Sequence, residues 1–284
     1  MEKNRRPIDA GAGKMKQIIK KLVSGTVHKS GLYKLTSFNT RVLAFHKVNP
    51  KYFEQQIKHL VKHYDVIPLS EISPKNKNKV VLTFDDGYKN NLEYAYPILK
   101  KYKLSATIFI VYDFIDKNVF VWWDRLEYAK ANVDLENIKK LNNEEIEKKV
   151  AQITSLNKNT TKPSDYNFMN WKDIKKISDV FEIGSHTLTH PILTNIPLVE
   201  AKKEILQSKR KIEGKIGKKI ISFAYPNGNY NEELISAVEE AGYKFGVIYE
   251  KGNIKNQNNF KLFRRGINIE DDLDIFAAKV AGVF

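Results

Sequence analysis

The run Val80-Val81-Leu82-Thr83-Phe84-Asp85-Asp86-Gly87-Tyr88 constrains this chain more than any other stretch. Its β-branched and aliphatic start reads as a strand covered on both faces. Gly87 permits a sharp turn immediately after two adjacent carboxylates. In an open or closed parallel sheet, the carboxyl ends of the strands are where ligands bind. Two neighbouring like charges are costly unless a cation or a shared proton relieves them. The stretch therefore predicts a buried strand delivering acids to a site that calls for a metal ion.

Strand and helix patterns alternate around it. Residues 41–48 form an apolar strand carrying His46 near its end, and Pro50 opens a helix with Phe53, Ile57, Leu60, Val61 and Tyr64 on its inward face. His59 and His63 fall outside that stripe and read as a solvated pair. Strands follow at 105–111, 180–186, 220–224, 243–248 and 262–267, separated by helices at 90–102, 171–178, 198–216 and 231–241, with a last helix at 273–280. Residues 112–170 break the alternation with an aromatic segment, Trp122, Trp123, Leu126 and Tyr128, followed by a Lys/Glu/Asn-rich stretch. This reads as a helical, surface-exposed insertion. About seven βα units emerge. The expected fold is α/β, a distorted (β/α)7-type barrel with a helical insertion after the third strand. Residues 1–39 read as an N-terminal extension and residues 40–284 as the catalytic domain.

Composition limits the chemistry. A chain of 284 residues with 42% hydrophobic content can bury a substantial core. The absence of cysteine excludes disulfides, thiolate metal sites and thiol nucleophiles, so a metal must use His, Asp or Glu. The net charge of +15 comes from lysines scattered over nearly every helix, a solvated basic surface with no nucleic acid partner expected. No run approaches the roughly 18 to 20 apolar residues of a membrane span. The segment before Val23 lacks the hydrophobic region of a secretory signal. These features lead to the expectation of a cytoplasmic protein, with peripheral membrane association through a lipid-linked substrate.

A second informative stretch, Ser185-His186-Thr187-Leu188-Thr189-His190, again follows a strand. Two histidines four apart face one ion if a helical turn follows the strand. One carboxylate of the first stretch would complete three protein ligands, the count of a catalytic rather than a structural zinc site. A third stretch, Ser222-Phe223-Ala224-Tyr225-Pro226-Asn227-Gly228, leaves a strand into a Pro/Gly turn. By itself it reads as an ordinary loop. Beside a metal, a rigid backbone N–H before the proline could donate to a developing oxyanion, and the tyrosine ring could line a subsite.

Together these motifs resemble those of the polysaccharide deacetylases of carbohydrate esterase family four. Thr83 to Gly87 matches the family's first motif, Ser185 to His190 its second, and Phe223 to Gly228 is similar to the third without its usual arginine. The resemblance runs from about Arg41 to Asn268. It implies a distorted barrel that removes the N-acetyl group from an N-acetylated amino sugar, in a polysaccharide or a lipid- or nucleotide-linked precursor. It further implies that Asp86, His186 and His190 hold a divalent metal, commonly zinc, that Asp85 is the general base, and that the Tyr225 N–H steadies the tetrahedral intermediate. A glycan-binding protein on the same fold is the alternative.

The sequence departs from the family pattern in its general acid, since no histidine follows His190. His46 resembles the histidine to which the biofilm poly-N-acetylglucosamine deacetylase branch assigns that role, and is otherwise a structural histidine; the missing motif favours the acid. Arg264, Arg265 and Asp271 follow the last strands as candidates to orient Asp85 or bind a phosphate. Arg265 is preferred because it sits closer to the strand end.

Overall fold

The structure is a computed structural model that describes residues 24–26, 40–249 and 258–283. The expected N-terminal extension lies outside these residues, apart from 24–26. Eight parallel strands are β1 (Arg41–Phe45), β2 (Asp65–Val66), β3 (Lys79–Asp86), β4 (Ala106–Ile110), β5 (Phe181–Ser185), β6 (Ser222–Ala224), β7 (Phe245–Tyr249) and β8 (Leu262–Gly266). Seven of them close into a ring in the order β1-β3-β4-β5-β6-β7-β8 and back to β1, while the two-residue β2 lies beside the start of β3. This is the expected (β/α)7 barrel. Its thinnest seam joins β5 to β6 through the pair Ser185 and Phe223.

Strand alternation divides the core into two layers. Val42, Val81, Phe109, Val247 and Leu262 cluster together within the ring. Their sequence neighbours Leu43, Leu82, Ile108 and Ile248 belong to the larger cluster beneath the helices. Gly184 has its place because a Cβ there would meet the Phe109 ring at 2.5 Å and Ser222 Oγ at 2.7 Å. The ring is too narrow at that level for another inward side chain.

The outer layer follows the sequence periodicity. It comprises α1 (Pro50–His63), α2 (Tyr96–Lys101), α3 (Tyr112–Lys117), α4 (Trp122–Tyr128), α5 (Leu135–Ile138), α6 (Asn143–Thr154), α7 (Trp171–Ile177), α8 (Leu198–Ile216), α9 (Glu232–Glu240) and α10 (Leu273–Ala281). In α1, Asn49 caps the first turn by accepting from the Lys51 N–H, with Pro50 following as a favoured first helical residue. His59 does not lie on a solvated face. It is buried with its ring 6.3 Å from Phe276, while Val61 is 43% exposed, because the helix is rotated toward α10.

The insertion, α3 to α6, is helical as expected but more than a surface layer. Leu126, Ile138, Ile146 and Val150 make a small core of their own. Beside it the fully buried Arg125 donates to Leu156 O at 3.1 Å and to Glu147 at 2.7 Å. This packing fixes α4 over the carboxyl end of the barrel. Among the described residues, no helix is long and apolar enough to cross a membrane.

Candidate active site

At the carboxyl end of β3, Asp85 points into the ring and Asp86 ends the strand with φ of 69°. That left-handed conformation is unfavourable for a residue with a Cβ and turns the second carboxylate away from the first. Asp86 Oδ1 lies 3.8 Å from His186 Nε2 and 3.7 Å from His190 Nε2. Those two nitrogens are 3.2 Å apart.

The histidines do not meet through a helical turn. They meet across an irregular loop in which Thr187 and His190 both have positive φ, 71° and 64°. The loop keeps this shape because Glu204 of α8 accepts from the Leu188 and Thr189 N–H groups at 2.8 and 2.9 Å, and from the Thr189 hydroxyl at 2.8 Å. Sequence reasoning passed over Glu204. Its position on a predicted helix carried no sign of the loop above it.

The donor set fits a divalent cation. His186 Nδ1 lies 2.7 Å from the Ala224 carbonyl, which places a proton on Nδ1 and leaves the Nε2 lone pair for the centre. Burial depresses the His186 pKa to about 4 and holds that of His190 well below its ordinary value, so both rings are neutral. Asp86 Oδ1 is buried without a hydrogen-bond partner. Burial first, then the charges of Asp85 and Asp124, raise the pKa of this carboxyl well above the usual range. A buried acceptor facing two neutral imidazole nitrogens lacks a positive charge, which a divalent cation would supply.

Asp85 is held differently. Burial pushes its carboxyl up, but the Arg264 guanidinium more than offsets this and holds it well below the usual carboxylate range. Arg264 donates to Oδ1 at 2.7 Å and to Oδ2 at 2.8 Å, and the Tyr249 hydroxyl donates to Oδ2 at 3.2 Å. The sequence preference for Arg265 is corrected. On β8, Leu262 and Arg264 share the inward face, so Arg265 points outward and donates to Lys279 O on α10. Asp271 also lies away from Asp85, paired with Lys279.

Tyr225 occupies a different place from the one its motif implied. Its N–H donates to the Val247 carbonyl at 3.2 Å and is spent on the barrel wall. Its ring is fully buried, 5.1 Å from Phe223, and lines no open subsite. His46 sits just past β1 with its side chain half exposed and Nε2 4.0 Å from Asp86 Oδ2. Loss of water on its site-facing side lowers its pKa, against the pull of Asp85. Its carbonyl accepts from Asn91 at 3.1 Å, and its ring lies parallel to Tyr249 at 6.1 Å.

Trp123, from the insertion, forms one wall. Its ring is 4.9 Å from that of His190. Its Nε1 donates to the Tyr88 hydroxyl at 2.8 Å, and that hydroxyl bonds the buried Asp124, which also pairs with Lys47 at 3.4 Å. The tryptophan pair was visible in the sequence, but not that one of its rings reaches the histidines.

Known proteins share this arrangement of chain. The polysaccharide deacetylase family model matches residues 72–246. The chain is 28% identical over 235 residues to the poly-β-1,6-N-acetyl-D-glucosamine N-deacetylase of Staphylococcus aureus, covering 80% of this chain and 69% of that protein. It is 26% identical over 198 residues to a Bacillus subtilis (strain 168) protein named as a candidate polysaccharide deacetylase, covering 69% of this chain and 54% of that one. The chain thus spans about half the length of the Bacillus relative and about two thirds of the staphylococcal one. In fold it is similar to the Streptococcus pyogenes deacetylase PplD, with a TM-score of 0.60, 21% identity, and coverage of 86% of this chain and 98% of that one. The match extends over more than half of the sequence and contains both the paired aspartates and the paired histidines, and the chain belongs to the polysaccharide deacetylase family.

Proposed function

We propose that this chain is a metal-dependent hydrolase that removes the N-acetyl group from an N-acetylated amino sugar within a glycan. The observation that carries the reading is the partnerless buried Asp86 Oδ1 facing two neutral histidine nitrogens, beside an aspartate kept ionised by its own arginine. Asp86, His186 and His190 would hold the metal. A divalent ion there supplies charge that polarises an amide carbonyl and acidifies water. The name of the staphylococcal relative supports an N-acetylglucosamine polymer as the substrate class.

Asp85 stays ionised through the working pH range and receives the proton of the attacking water, while His46 delivers a proton to the nitrogen as the C–N bond breaks. A specific observation favours a second division of labour. Both oxygens of Asp85 already accept from Arg264 and its pKa is low, so it is a weak base, whereas His46 is neutral and half exposed. In this version His46 takes and returns the proton, and Asp85 acts through its charge.

The test is acetate release from N-acetylglucosamine oligomers by zinc-loaded protein, compared with Asp85→Asn and His46→Ala. Loss of turnover with retained zinc is expected for Asp85→Asn, and a loss of roughly two to four orders of magnitude for His46→Ala. A pH profile in which His46→Ala removes the basic limb supports the acid role; removal of the acidic limb supports the second version. Zinc-loaded protein that releases no acetate from any oligomer refutes the reading.

A further inference from the structure

Two cavities flank the Trp123 ring, one reaching His190 and the other His46, the two histidines that face different oxygens of Asp86. The larger, about 840 Å³, reaches His190 on the Oδ1 side and is roofed by the insertion; the smaller, about 300 Å³, reaches His46 on the Oδ2 side. Trp123 lines both, so its ring is the wall they share beside the histidines. A site with room on only one side of the reacting atoms would suit a chain terminus. Room on both sides suits an internal unit of a strand.

The two cavities differ in charge. In the larger, Asp113 is neutralised by Lys117 at 2.6 Å and Glu147 by Arg125 at 2.7 Å. Lys158 and Lys162 remain, the latter donating to a neutral carbonyl, Val119 O, at 2.7 Å and lying over the Phe168 ring at 4.5 Å, with no carboxylate paired to it among the described residues. In the smaller, Asp124 is paired with Lys47, while the Glu127 carboxylate accepts from the Tyr166 hydroxyl at 3.3 Å with no cation paired to it among the described residues, and Glu270 stands on the exposed rim. One side is therefore net positive and the other net negative.

Removal of an acetyl group turns a neutral sugar into a cation, so the product of one turnover carries a charge that the next turnover must place. We propose that the chain works inside a glycan strand and in one direction, with fresh N-acetylated units in the lysine-lined cavity and units already bearing a free amine on the side of Glu127 and Glu270. The inference rests on the reading of the chain as a glycan N-deacetylase. Hydrolysis balances at each step: water adds to the acetyl carbon, the C–N bond breaks, acetate leaves and the amine takes the proton.

The experiment uses zinc-loaded full-length protein and β-linked N-acetylglucosamine pentamers. One is fully acetylated, and two are isomers with a single free amine on either side of the central unit. Product positions are read by fragmentation mass spectrometry. One isomer is expected to react faster at its central unit by roughly two- to fivefold, a preference that shrinks in high salt as exposed charge effects do. Glu127→Gln with Glu270→Gln should reduce this preference through KM rather than kcat, and Lys158→Glu should reduce it by admitting the amine to the larger cavity. Equal rates for the two isomers, or a preference that neither variant alters, overturns the directional inference while leaving the deacetylase reading intact. No turnover of any pentamer overturns both.

Discussion

Arg264 spans the floor of the site and grips both oxygens of Asp85, at 2.7 and 2.8 Å, with both side chains fully buried. This fork divides the work of two adjacent aspartates. Asp85 is charge-compensated by the protein itself, and Asp86 keeps an unpartnered oxygen facing the two histidine nitrogens.

Breaking that fork has a signed consequence. The folded-state pKa of Asp85 lies below its ordinary value, so the pair's contribution to stability is complete above the usual carboxylate range near 4 and is lost only as pH falls through the lower folded value. Arg264→Gln leaves a buried carboxylate uncompensated and should cost about 3 to 5 kcal/mol at neutral pH. The loss should shrink as pH drops below about 4, where the unfolded chain no longer gains from ionising. Urea titrations of both proteins at pH 7 and about pH 2.5, below the usual carboxylate range, give the comparison, and an equal deficit at both would contradict the assignment.

Metal binding should protect more strongly at higher pH. The raised pKa of Asp86 means that its ionised form, present as pH rises, weakens the metal-free fold and is the form that takes a cation. Differential scanning with and without saturating zinc should show a larger rise in Tm at pH 8 than at pH 6, and His186→Ala should show almost none at either. An unchanged zinc response in His186→Ala would remove that residue from the centre.

Glu204 is predicted to matter without touching substrate. Its carboxylate satisfies two backbone N–H groups and a hydroxyl in the loop between the histidines, so Glu204→Ala leaves partly buried donors unpaired at a cost of about 1 to 3 kcal/mol. Because the loop positions His190, zinc affinity should fall roughly 10- to 100-fold. Glu204→Gln should restore part of both losses. Calorimetric zinc titration separates this positioning role from a purely structural one, which would leave affinity unchanged.

Gly228 ties the third motif to the site through Tyr249. Its φ is 78°, and a Cβ added there would lie 2.6 Å from the Tyr249 backbone nitrogen. Gly228→Ala should therefore destabilise the fold by about 1 to 3 kcal/mol and push Tyr249 off Asp85. Activity should fall further than the loss of folded protein explains, as measured by specific activity corrected for the folded fraction.

The alternation of buried runs and amphipathic helices was enough to predict a parallel barrel, because covering a sheet on both faces demands that pattern. The motifs Thr83 to Gly87 and Ser185 to His190 also pointed to one end of the sheet, since strand ends converge in a barrel. Their approach depended on features that leave little local trace. Asp86, Thr187 and His190 all adopt positive φ, which no residue type among them advertises.

Side-chain direction marked the other boundary. The choice of Arg265 over Arg264 followed distance along the chain, whereas the ring admits only alternate residues, and Leu262 had already set the inward parity. The Tyr225 N–H looked free beside its proline until strand β7 paired with it. Trp123 and Glu204 lie far from the motifs in sequence and reach the site only because α4 and α8 pack over the barrel end.

By itself, then, the sequence determined the barrel, the carboxylate pair and the histidine pair, because these depend on local pattern and on spacing within single strands and loops. The tertiary structure alone decided which aspartate is charge-compensated, which arginine compensates it and which aromatic walls the site, because those outcomes depend on the inward parity of neighbouring strands and on packing between elements distant in the chain.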